Sequence, residues 1–264
     1  MLNLAFFISG RLTCYEEHLI PFLEFIDKKY NVLLFISING IRDEYHLIAE
    51  DKLKRWLAHI CYEEYKIPSN MKPNIHPETL FQIVDNKKVP YTNLSCFYND
   101  AKAFRNIIQY EIENNIKCDI YIKFRPDIIF ENMNDVHFIK DNEESLIIHT
   151  NINLSIHPYG NVTIPPMISV NFDYGNRKSM EIYCNTYNYI LEQNELRQGY
   201  YRINFETCIT ESVINYNLVD STDSYTLRDK IINNSRNIQI DYIKCNYIVD
   251  VNRRKLDTTI GRIL

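Results

Sequence analysis

The feature that most constrains this chain is an alternation between two periodicities. "LNLAFFIS" (residues 2–9) and "NVLLFISI" (residues 31–38) are near-continuous apolar runs. That is the pattern of strands buried on both faces. Between them Leu19, Phe22, Leu23 and Ile26 recur at the spacing of an amphipathic helix, with Pro21 near its start. Leu53, Trp56, Leu57 and Ile60 repeat that spacing and predict a helix over Asp43–Ile60. Phe97, Ala101, Phe104 and Ile108 predict another over Leu94–Asn115, and an apolar strand, Asp119–Phe124, follows. Strands alternating with helices predict parallel βαβ units with right-handed crossovers. The expected fold is α/β, with a mostly parallel central sheet flanked by helices and a mixed C-terminal part.

Beyond this the pattern is coarser. Lys66–Pro90 is rich in proline and weakly periodic, and reads as a long loop that can cover a site. "SLIIHT" (145–150) and "MISVNF" (167–172) read as strands. "NRKSMEIYCNTYNYILEQ" (176–193) and "FETCITESVINYN" (205–217) read as helices, and "LVDST" (218–222) as a strand. The last forty or so residues show only weak alternation. The whole chain is expected to form a single domain.

Composition limits the function classes. The net charge is −5 and the basic residues are scattered, which argues against a nucleic-acid backbone as the main partner. No apolar run approaches the roughly 20 residues needed to span a bilayer, so no transmembrane segment is expected. The start lacks the basic region of a signal peptide. Seven cysteines without CxxC spacing read as reduced thiols, and a cytoplasmic location is expected. No HExxH-type metal spacing or GxSxG elbow is present.

In open α/β sheets ligands bind beyond the carboxyl ends of the strands. Three charged segments fall at such ends. Ser9-Gly10-Arg11 follows the first strand: it either lays backbone N–H groups and a guanidinium against a nucleotide, or Gly10 simply supplies a turn. Arg125-Pro126-Asp127 follows a later strand, where proline ends the ladder. Its carboxylate either ligates Mg²⁺ or Mn²⁺, with Arg125 on the same phosphates, or pairs locally with Arg125 in a turn. Asp173-Tyr174-Gly175 follows a third apolar run and either holds an acceptor hydroxyl or closes a turn. Glu206, near the start of a helix, is either a general base or an acid favoured by the helix dipole. Lys102 and Arg105 lie on the helix before the central strand, either on phosphates or in solvent.

In this order, "FFISGRLTCYEEHL", "YIKFRPDIIFEN", "VNFDYGNRKSMEIYCNTYNYI" and "NFETCITESVINYNLVD" resemble a group of glycosyltransferases found in large DNA viruses and in bacterial lipopolysaccharide-synthesis loci. The similarity spans roughly residues 1–220. It implies a GT-A-like fold over one continuous sheet, with a Rossmann-like nucleotide-sugar-binding half at residues 1–132, an acceptor half at 133–220 and a C-terminal extension at 221–264. It also implies transfer from a nucleotide-sugar donor, UDP-linked by family frequency, to a glycan or glycoprotein acceptor. "RPD" resembles the metal-binding DxD, so Asp127 matches a ligand for Mn²⁺ or Mg²⁺, with Arg125 where a second acid would stand. Ser9, Gly10, Arg11, Lys102 and Arg105 would complete the donor site. Glu206, then Asp173, would be the base. The competing expectations are a nucleotidyltransferase, or a non-catalytic carbohydrate- or nucleotide-binding protein on the same sheet.

Overall fold

A computed structural model describes residues 1–69, 71, 81–84, 87–90, 92–150, 168, 171–197, 205–214, 237–243 and 245–250, with backbone alone for 81–84, 87–90, 92–93, 205–207 and 242. Its centre is a seven-stranded sheet. The strands are β1 (Asn3–Ser9), β2 (Asn31–Asn39), β3 (Leu57–Glu63), β6 (Ile120–Phe124), β8 (Ile147–Thr150), β9 (Phe172–Gly175) and β10 (Gln239–Tyr242). Their order is β10-β8-β9-β6-β1-β2-β3, and every strand but β9 runs the same way. β4 (Phe81–Val84) and β5 (Lys87–Pro90) form a separate antiparallel hairpin. β7 (Ile128–Phe130) pairs antiparallel with β11 (Tyr247–Val249).

The sheet separates two apolar layers because strand side chains alternate between faces. Leu4, Phe6 and Ile8 of β1 pack with a π-helix (Tyr15–Leu19), α1 (Ile20–Ile26) and α2 (Glu44–Leu53). Ala5 and Phe7 pack with α3 (Thr92–Asn114), α4 (Arg177–Cys184), α5 (Thr186–Leu196) and α6 (Phe205–Ile214). In the first layer Phe22 of α1 stacks on both Phe124 and Phe130, with ring centroids 4.8 Å apart in each case. These rings bracket the Arg125-Pro126-Asp127 turn and hold it against α1.

Several expectations need correction. The helix predicted over Asp43–Ile60 ends at Leu53, and Leu57–Glu63 is strand β3. Apolar residues at this spacing suit a helix, but Leu57–Glu63 gains a parallel ladder with β2 that a helix would forgo. The third apolar strand starts later than expected: Asp173, Tyr174 and Gly175 are not a loop but lie within β9, paired with both β6 and β8. The helix predicted over 176–193 is two helices, broken at Asn185. The Lys66–Pro90 loop contains the β4–β5 hairpin. "LVDST" lies outside the described residues.

The segment expected as a C-terminal extension supplies the edge strand β10 and the strand β11. His149 of β8 helps to hold β10, bonding to Asp241 at 3.0 Å and to Asp141 at 2.9 Å. Among the described residues no helix is long and apolar enough to cross a membrane.

Candidate functional site

The chain lays down β1, β2 and β3 toward one edge of the sheet, then returns through α3 to place β6 on the other side of β1. The order therefore reverses between β1 and β6. The crevice at the carboxyl ends of such a strand pair is where open α/β sheets bind ligands. Ser9-Gly10-Arg11 leaves β1 there, and Arg125-Pro126-Asp127 leaves β6 there.

Beneath the crevice lies a buried polar network. Lys123 of β6, 5% exposed, donates from Nζ to Ser9 Oγ and to Asp100 Oδ1 of α3. Ser37 of β2 donates to Asn99 Oδ1 at 2.7 Å, and Asn99 Nδ2 donates to the Ser95 carbonyl at 2.8 Å. Four elements are thus joined through side chains that the core would otherwise exclude. A buried charge is tolerated only when paired. Lys123 and Asp100 were missed by sequence reasoning, although a lysine inside the apolar run "YIKF" was a usable signal: such a residue needs a buried acid nearby.

Asp173 stands opposite Lys123 in the β6–β9 register and is fully buried. It accepts hydrogen bonds from Thr150 Oγ1 and from Tyr183 Oη, the latter at 3.0 Å. Burial pushes its carboxyl up to about 8, and the hydrogen bonds from Thr150 and Tyr183, with the Lys123 charge, only partly oppose this. At neutral pH it therefore holds a proton. It is enclosed and protonated, which suits a residue that positions β8 and β9 and not one that takes a proton from an acceptor.

The rim carries charge. Arg125 donates from Nε to Asp127 Oδ1 at 3.0 Å and from an Nη to Oδ2 at 2.8 Å. Its other Nη donates to Asn171 Oδ1 at 2.9 Å. Asp127 is 3% exposed, so this bidentate pair closes its carboxylate, and the local pairing anticipated for the turn is present. A divalent ion held by Asp127 does not fit this arrangement, because both oxygens already face a cation and no second carboxylate replaces Arg125. Burial pushes the Cys96 thiol up to about 11, while Lys123, Arg125 and Arg11 pull it down. The Lys123–Ser9 bond and the parallel β1/β6 register bring the strand ends that lead into Arg11 and Arg125 side by side.

The first loop contributes less backbone than expected. Gly10 has φ +91° and its N–H donates to the Ser37 carbonyl at 2.9 Å. Its turn role is real, and that N–H is already engaged. Ser9 receives Lys123. Of the three, only Arg11 is exposed.

Two expected donor-site residues lie elsewhere. Lys102 pairs with Glu63 at the end of β3, which also accepts from Tyr98 Oη at 2.9 Å. Arg105 lines a separate cavity of about 710 Å³ between α3 and α4, with Arg177 and Glu181. Glu206 falls in the first turn of α6, but its side chain lies outside the described residues. No protein-family model matches the sequence, and no curated protein matches it.

Proposed function

We propose that this chain is a glycosyltransferase of GT-A-like architecture, moving a sugar from a nucleoside-diphosphate sugar, UDP-linked in the first instance, to a hydroxyl of a glycan or glycoprotein. The observation that carries the reading is the meeting of β1 and β6 at the reversal point, where Lys123 bonds to Ser9 between the segments that carry Arg11 and Arg125. One continuous sheet, with a parallel part β3-β2-β1-β6 joined to a mixed part β9-β8-β10, supports the architecture.

The chemistry follows from the charges. The anomeric C–O bond breaks and its electron pair goes to the terminal phosphate oxygen of the leaving diphosphate. Arg11 and Arg125 supply preorganised positive charge for that oxygen. Lys123, buried beneath them and held by Asp100 and Ser9, fixes the floor of the site. The acceptor oxygen forms the new bond to the anomeric carbon, and its proton passes to a carboxylate base. Glu206 is the residue assigned to that role, and a placed base is worth typically ~10²–10⁴-fold. Asp173, expected as the second choice, is reassigned to positioning.

Incubation with a panel of nucleotide-sugars, with Mn²⁺ or with EDTA, tests the reading. Release of free nucleoside diphosphate that persists in EDTA and falls at least tenfold in Arg125→Gln is the expected result. No release and no thermal shift with any nucleotide would overturn it. A second reading, a non-catalytic nucleotide binder, is favoured by the closed Arg125–Asp127 pair; a thermal shift without release would select it.

A further inference from the structure

We propose that Cys14, His18 and Asp250 form a binding site for a divalent cation of the zinc class. Their ligand atoms, Sγ, an imidazole nitrogen and a carboxylate oxygen, all lie within 4.8 Å of one another. "CYEEH" places the first two a turn apart, and the His18 N–H donates to the Cys14 carbonyl at 2.9 Å. Asp250 arrives from the far end of the chain. Its position is set by β11 pairing with β7 and by its N–H donating to the Asp127 carbonyl at 2.9 Å.

The geometry is close to that of a bound ion. His18 Nε2 and Asp250 Oδ2 are 3.3 Å apart. Ligand lengths of about 2.0–2.2 Å at a tetrahedral angle put two such atoms about 3.3 Å apart, and put a thiolate about 3.6 Å from either. Only the thiol must then move, by ~1 Å relative to the 4.8 Å envelope. A set of one sulfur, one imidazole and one carboxylate suits Zn²⁺ and its softer neighbours, not Mg²⁺ or Ca²⁺, which take oxygen. The Cys14 thiol loses its proton to solvent as the ion binds. Thiolate and carboxylate together then balance the two positive charges. Cys14 is buried, while the His18 and Asp250 side chains retain 16% and 18% exposure, which leaves the ion a path in. The bound ion would tie the segment after β1 to the strand pair behind Asp127.

The test does not depend on sugar transfer. The chain is stripped with EDTA, dialysed and titrated with Co²⁺, whose thiolate charge-transfer absorption reports sulfur ligation. One equivalent should bind with that band, and Zn²⁺ should displace it. Cys14→Ser should abolish the band, and Asp250→Asn should weaken affinity at least tenfold, with unchanged circular dichroism in both. Zn²⁺ should raise the Tm of the wild type but not of Cys14→Ser. No band in the wild type, a band that survives in Cys14→Ser, or an equal Tm rise in both proteins would overturn the assignment.

Discussion

The two ends of β6 treat charge in opposite ways. At the amino end Asp119 accepts from the Asn3 N–H at 2.8 Å and from Lys140 at 2.5 Å, while Lys117 pairs with Glu143 at 2.6 Å. These pairs are open to water. Burial works upward on the Asp119 carboxyl, but Lys140 and the Asn3 amide outweigh it and hold it low. At the carboxyl end Lys123, Asp100 and Asp127 are all buried. Solvated pairs are screened and contribute little. Desolvated pairs must be geometrically complete, because breaking one strands a charge in a medium that cannot solvate it. The same strand therefore ends in solvated pairs at one side and in a buried polar network at the other. Burying ions is not an efficient route to stability, so their concentration at the reversal point of the sheet argues for use.

This contrast can be broken experimentally. The largest effect should come from Lys123→Met, which leaves Asp100 buried without its cation and should cost about 3–5 kcal/mol by urea denaturation. Lys123→Met combined with Asp100→Asn should recover much of that loss. A single-variant cost near that of a surface pair would show that water reaches the network.

Arg125→Gln should come next. Removing the guanidinium from the buried Asp127 carboxylate should cost about 1–3 kcal/mol, measured the same way. If the variant is as stable as the wild type, the turn does not need its closed pair.

Asp173 gives a signed pH dependence. Its carboxyl is raised from an ordinary value near 4 to about 8, so the folded chain binds more protons than the unfolded chain between these values. Stability should then fall as pH rises through that window and level off above it. The slope from this group is at most about 1.4 kcal/mol per pH unit, and Asp173→Asn should flatten it. Urea midpoints that are independent of pH across the window would contradict the buried, protonated carboxyl. The smallest effect belongs to the other end of the strand: Lys140→Ala should leave the urea midpoint unchanged, and a clear loss there would erase the contrast.

Much of this site was legible. β1, β2 and β6 announce themselves as continuous apolar runs, α1 and α3 as helical spacing, and the charged segments at Arg11 and Arg125 as breaks in apolar strands. β3 was not legible, because Leu53, Trp56, Leu57 and Ile60 satisfy a helix as well as a strand until β2 is beside them. Asp173 was misplaced for a related reason. Local rules put an Asp-Tyr-Gly triplet in a turn, but β6 and β8 flank it, and Thr150 with Tyr183 meets its polar demand.

The amino-acid order by itself determined the class of fold, since hydrophobic periodicity is a local property that survives without any partner. It also determined which loops carry charge. Only the tertiary structure decided which of those charges meet. Lys123 and Asp100 lie 23 residues apart, and His18 and Asp250 lie 232 apart. Pairing across such separations is set by the strand order and by the exclusion of water, and neither is written in any short stretch of sequence.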